Sequence, residues 1–210
     1  MSETEACVWD RRDFLGGATL LALAIGLPLA ALKLSDLPAD LAPSARQRLL
    51  LKEVSQQVIP RTGTAGAGEL GVGDFVILAL AHGLEGARKL VPPAAPQSLK
   101  AHRRADGSLD HVRWLEAELD ARGGGDFLGL GAAERVAALT GLDAEAFAEG
   151  VKDHPWRTIK GLILTGYYTS EVGGSQELNF ELVPGRYDPD LPVTAQTRAY
   201  SSDWTAVDFG

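Results

Sequence analysis

Cysteine is almost missing from this chain: Cys7 is the only one. No disulfide can close within the chain. A cysteine-held iron–sulfur cluster and a C-x-x-C-H haem attachment are excluded as well. Histidine is scarce too. His82, His102, His111 and His154 are the four, and none forms H-E-x-x-H or a close pair of histidine ligands. Past the N-terminal segment the densest basic stretch is Arg103-Arg104. With a formal net charge of −8, that disfavours nucleic acid as a partner. Internal repeats are absent, and Ser170-Glu171 and Ser201-Ser202 lack the setting of a nucleophile elbow.

What is present begins at the N-terminus. "DRRDFLGGATLLALAIGLPLAAL" carries two adjacent arginines followed by an uncharged, mostly apolar run over residues 14–32. A transmembrane helix needs ~20 apolar residues, and Gly16, Gly17, Gly26 and Pro28 dilute a run of about that length. A retained membrane anchor and a buried core helix both stay open. An export signal fits best: charged head, apolar middle, small residues near the end. Glu3, Glu5, Asp10 and Asp13 outweigh Arg11 and Arg12, so the head carries −2. Attraction to anionic lipid therefore cannot be its main means of recognition. "RRDFL" resembles the twin-arginine (Tat) signal, with Arg11, Arg12, Phe14 and Leu15 matching. Asp10 and Gly16 depart from the usual Ser/Thr and Lys. The Tat route carries folded proteins, so the chain is either cofactor-loaded cargo or an escort for another chain.

The remainder reads as mainly α: a small helical domain of about five or six helices with an extended C-terminal arm. Residues 1–31 form the signal segment, 32–43 a linker, 44–173 the helical domain and 174–210 the arm. Without the signal, roughly 180 residues remain, enough for one real core. Ser44 and Gln47 make a capping box, and Leu50, Leu51, Val54 and Val58 share a helical face up to Pro60. "RTGTAGAGELGVG" is a loop. "DFVILALAHGLEGARKLV" is a second, central helix, apolar nearly all round at its start. Ser108 is read as the cap of a helix with Leu109, Val112, Leu115 and Leu119 on its stripe. "AAERVAALTGLDAEAFAEGVKD" reads as two short helices about a Gly-Leu-Asp turn. The last helix starts at Pro155, aligns Trp156, Ile159, Ile163 and Tyr167, and is expected to end at Gly173-Gly174.

Gly66-Ala67-Gly68-Glu69-Leu70-Gly71 matches the dinucleotide fingerprint G-x-G-x-x-G. That fingerprint works only between a strand and a helix. Here a helix precedes it, so a plain loop is expected. His82 lies on an apolar helix and reads as a core histidine. His154 precedes a helix start, and a metal or catalytic role there is the weaker reading. No cluster of residues carries a reaction, and no catalytic, cofactor or metal residue is assigned.

"VIPRTGTAGAGELGVGDFV" and "LILTGYYTSEVGGSQELNFELVPGRYDPD" resemble the gluconate 2-dehydrogenase subunit 3 family, over roughly residues 46–204. Ile59-Pro60-Arg61-Thr62 and Gly166-Tyr167-Tyr168-Thr169-Ser170 carry the resemblance most specifically. It implies a non-catalytic small subunit of a membrane-associated dehydrogenase for sugars, polyols or sugar acids. FAD would sit in a large GMC-type flavoprotein subunit, which does the oxidation. A cytochrome c subunit with haem c, or another acceptor, would take the electrons. The small subunit would supply the Tat signal, meet the translocase transiently, and serve assembly and export into the periplasm.

The arm carries Phe180, Tyr187, Tyr200, Trp204 and Phe209, residue types that anchor interfaces. With Tyr167 and Tyr168 they are candidate partner contacts. The other reading has the arm covering the chain's own helices. The signal reading predicts that Arg11→Lys with Arg12→Lys blocks export of the chain and its flavoprotein partner together, since an ammonium does not replace a guanidinium. Cell fractionation checks this; a partner still outside the cytoplasm in the double variant counts against the escort role.

Overall fold

The computed structural model describes residues 33–180, 190, 192–194 and 197–201. The expected signal at Arg11, Arg12, Phe14 and Leu15 lies outside these residues, as do Tyr187, Trp204 and Phe209. The protein is mainly helical. Its α-helices are α1 (Ala45–Val58), α2 (Val72–Ala81), α3 (Gln97–Lys100), α4 (His111–Arg122), α5 (Ala132–Ala146) and α6 (Pro155–Tyr168).

The first helix forms as its sequence dictates. The Ser44 side chain accepts from Gln47 N, and Gln47 Oε1 accepts from Ser44 N. Leu50, Leu51 and Val54 are fully buried. Helix α2 is the centre of the core, with Val72, Val76, Ile77, Ala79, Leu80 and Ala81 all buried. It packs on α1 and on α6. It starts at Val72 and stops at Ala81, because Gly83 adopts φ 80°. The longer second helix expected over "DFVILALAHGLEGARKLV" is therefore cut short.

Three further expectations give way. The cap of α4 is Asp110, whose side chain accepts from Arg113 N at 3.1 Å. Ser108 instead turns its N–H and hydroxyl to Asp106 Oδ1, at 2.9 and 2.6 Å. Gly141-Leu142-Asp143 is no turn but the interior of α5. A helical glycine costs ~1 kcal/mol relative to alanine, while burying Leu139, Leu142 and Ala146 along one face recovers more, at about 1.5–3 kcal/mol for a leucine side chain. Helix α6 ends at Tyr168, five residues before the glycines. Its last carbonyls are taken by hydroxyls: Thr169 Oγ1 donates to Thr165 O and Ser170 Oγ to Tyr167 O, both at 2.6 Å. A π-helical turn, Gly173–Glu177, follows.

The arm is not wholly without regular structure. Strands β1 (Leu178–Phe180) and β2 (Ala199–Ser201) pair in parallel, with Asn179 opposite Tyr200 and Phe180 opposite Ser201. Three-residue segments are too short to show a period in sequence.

Carboxylates and guanidiniums tie the helices together. Arg46 of α1 donates to Glu116 and Asp120 of α4 at 2.6 and 2.8 Å. Arg48 forks onto Asp74 of α2 at 3.1 and 2.7 Å. Arg122 of α4 reaches Glu145 of α5, and Asp143 of α5 accepts from Lys160 of α6. These pairs are partly or largely exposed, so they align helices more than they stabilise them.

The α1–α2 contact is close enough to exclude a side chain. A Cβ at Gly73 would lie 2.8 Å from both Leu51 C and Lys52 N, which are backbone atoms and cannot rotate away. Gly73→Ala is therefore expected to destabilise the protein by about 1–3 kcal/mol through overpacking, less up to ~1 kcal/mol of helix propensity. Urea unfolding of the two proteins checks this; equal midpoints would show that α1 and α2 can part freely.

Candidate functional site

The two segments that carry the family resemblance are about a hundred residues apart in sequence. The fold brings them together. The loop 59–71 leaves α1 and returns to it, closed by Ala67 N donating to Ile59 O at 2.9 Å. Arg61 forks onto Glu69 at 3.0 and 2.5 Å, and this pairing holds the exposed Glu69 carboxyl below its ordinary range. Gly66 and Gly68 face α1. A Cβ at Gly68 would stand 2.5 Å from Lys52 O. Gly66 and Gly68 of the G-x-G-x-x-G match thus serve packing against α1, Gly71 caps α2 at φ 75°, and no strand precedes them among the described residues.

Against this loop lies the end of α6. Tyr167 is 2 % exposed and donates its hydroxyl to Ala65 O at 3.2 Å. Thr64 Oγ1 sits 3.3 Å from the same hydroxyl and donates to Glu177 Oε1. Loop, helix end and π-turn therefore share one hydroxyl–carboxylate contact. It sets where the arm leaves the helical body. Tyr168 stands beside it, 42 % exposed, its ring edge-on to Tyr167 at 5.2 Å. Of the two tyrosines named as partner contacts, only Tyr168 presents surface. Tyr167 serves the chain's own packing. Phe180 lies in β1 and Tyr200 in β2.

The histidines are dispersed. His154 caps α6, its Nδ1 accepting from Trp156 N at 3.3 Å, and its ring meets Trp114 edge-on at 5.6 Å. His82 is half-buried, and burial with Arg88 nearby holds it below its ordinary pKa. Among the described residues no group of three His, Cys, Asp or Glu could hold a metal ion, and no helix is long and apolar enough to cross a membrane. One cleft of about 210 Å³ opens between α1, α5 and α6, walled by Val58, Val136, Leu139 and Trp156. Asp143 at its edge accepts from Trp156 Nε1 and Lys160 Nζ, both at 2.7 Å. Sequence reasoning missed two features: the Arg46 hub, and buried His111 beside the α4 cap. Both depend on partners brought by the fold rather than by local spacing.

Comparison with protein-family profiles matches residues 45–185 to the family described as gluconate 2-dehydrogenase subunit 3. The match spans well over half of the chain, and the chain belongs to that family. Comparisons with curated proteins and with solved structures find no match.

The environment of His111 predicts a pH effect. Burial pushes its pKa down from 6.5 to about 4, against a partly compensating hydrogen bond with Leu109 O. The native state thus keeps the ring neutral, while the unfolded chain takes up a proton below pH 6.5. Stability is full above pH 6.5 and falls as pH drops towards 4, by about 3 kcal/mol in all. Asp106, held down to about 2, acts only below that window. His82 and His154 are depressed too, so His111→Gln should reduce the slope of stability against pH between 4 and 6.5 rather than abolish it. An unchanged slope in urea titrations would place the effect on the other histidines.

Proposed function

We propose that this chain is the non-catalytic small subunit of a FAD-dependent, GMC-type dehydrogenase for a sugar, polyol or sugar acid. Its task is assembly, stability and Tat-dependent export of the catalytic flavoprotein into the periplasm. FAD belongs to the partner, and haem c or another acceptor to a further subunit. The observation that carries this reading is the family match over residues 45–185. It covers the helical body, the Thr64–Tyr167–Glu177 contact and the start of the arm. The arginine pair Arg11-Arg12 and the uncharged run after it support the export role, because folded cargo suits a chain that travels with its partner.

A second reading keeps the N-terminal run as an uncleaved membrane anchor that tethers the dehydrogenase. The uncharged length of residues 14–32 favours it. N-terminal sequencing of the mature protein separates the two: a start beyond residue 31 supports the signal, a start at residue 1 or 2 the anchor.

The test of the main reading is co-expression with the flavoprotein subunit. The pair is expected to co-purify and to oxidise the sugar substrate. The small subunit alone is expected to show no flavin or haem absorbance and no sugar oxidation. Stoichiometric chromophore in the isolated chain would overturn the assignment of the cofactors to its partners.

A further inference from the structure

Helix α6 has two glycines inside it, and only one is explained by the chain itself. A Cβ at Gly166 would meet Phe75 Cδ1 at 2.5 Å, so that glycine lets α2 approach. A Cβ at Gly161 would meet nothing within 4 Å. A mid-helix glycine costs ~1 kcal/mol relative to alanine, and at Gly161 no internal contact offsets that cost.

The surroundings of Gly161 give it a setting. The inner face of α6 buries Trp156, Ile159, Leu162, Ile163 and Tyr167. On the outer face Gly161, Leu164, Thr165 and Tyr168 follow helical spacing. Leu164 and Tyr168 on this stripe are 39 % and 42 % exposed, one helical turn apart. The helix holds two cations and no acid, in a chain with a net charge of −8. At its N-terminal end Arg157 lies 4.4 Å over the half-exposed Phe147 ring. Arg157 donates Nε to Ala146 O and makes no ion pair with any carboxylate among the described residues. The result is a notch of open space above Gly161, with Leu164 and Tyr168 on its C-terminal side and, on its N-terminal side, Arg157, which pairs with no carboxylate among the described residues.

We propose that this outer face of α6 is the docking surface for a helix of the flavoprotein subunit, one that sets a large apolar side chain into the notch at Gly161 and a carboxylate against Arg157. This rests on the function proposed above and names the surface through which it operates. Charge complementarity selects the occupant. A second copy of this chain docking face to face would meet the acid-free face with the same acid-free face, and two chains of like negative charge repel. An acidic, amphipathic segment of another protein supplies both the knob and the counter-charge.

The experiment is co-purification with the co-expressed flavoprotein subunit, comparing wild type, Gly161→Trp and Leu164→Glu. Both sites are open to solvent, so each isolated variant should unfold near the wild-type temperature. Each should reduce the recovered flavoprotein by about tenfold or more, the effect of one lost central contact. If wild type retains the flavoprotein and both variants retain it equally well, the face is not the interface and the inference falls while the proposed function stands. If wild type retains none, both fall. If wild type self-associates, the variants become monomeric and flavoprotein binding is unchanged, the face serves a second copy and the proposal is overturned.

Discussion

The structure depends on one close approach. Helix α2 and the loop before it lie directly on the backbone of α1, with Gly73 over Leu51 and Lys52 and Gly68 over Lys52 O. No side chain can stand in either place, so the two segments meet at backbone distance. That brings Val72, Val76 and Leu80 against Leu50, Leu51 and Val54 in a single core. It also fixes the loop. With Gly66 and Gly68 pressed on α1, Ala67 N reaches Ile59 O, and Thr64 and Ala65 are left facing the end of α6. A further glycine, Gly166, admits the Phe75 ring at the α2–α6 crossing.

The charges arrange what the core holds. Several helix junctions carry a guanidinium or ammonium against a carboxylate, from Arg48–Asp74 between α1 and α2 to Lys160–Asp143 between α5 and α6. Exposed pairs of this kind contribute little each. Their geometry is still informative. Arg46 gathers Glu116, Asp120 and Asp126, and Asp120 Oδ1 also accepts from Phe127 N. One side chain of α1 thereby orients α4 and the turn that leads to α5.

Much of the fold was legible because its signals are local. The Ser44–Gln47 box and Pro155 at the start of α6 each need only a few residues to be read, and each stands as read; of the stripe expected on α4, Val112, Leu115 and Leu119 lie on the helix while Leu109 precedes it. The failures have a common cause: a tertiary contact outvoted a local preference. Gly141 looked like a helix end until Leu142 required burial. Ser108 looked like a cap, but Asp106 held its hydroxyl and left the task to Asp110. Gly173-Gly174 looked like a stop, but Thr169 and Ser170 ended the helix first. At the candidate site the spacing of Trp156, Ile159, Ile163 and Tyr167 already turned Tyr167 inward, and of the two tyrosines only Tyr168 is exposed. Glu177 carried no signal at all, since its meaning comes from Thr64, 113 residues away.

That last contact makes the arm an extension of the α1–α2 packing. Glu177 is held by Thr64, and Thr64 is placed by a loop whose path is set where Gly68 touches Lys52 O. Strand β1 begins at the next residue, Leu178. The direction in which the chain leaves the body is therefore decided at a helix crossing far from it in sequence. A disturbance at that crossing would be felt at the exit of the arm without any change in the arm itself. The same placement sets the exposed Tyr168 beside the exit of the arm. Tyr168 and the start of the arm thus take their places only when the glycine-closed core is formed.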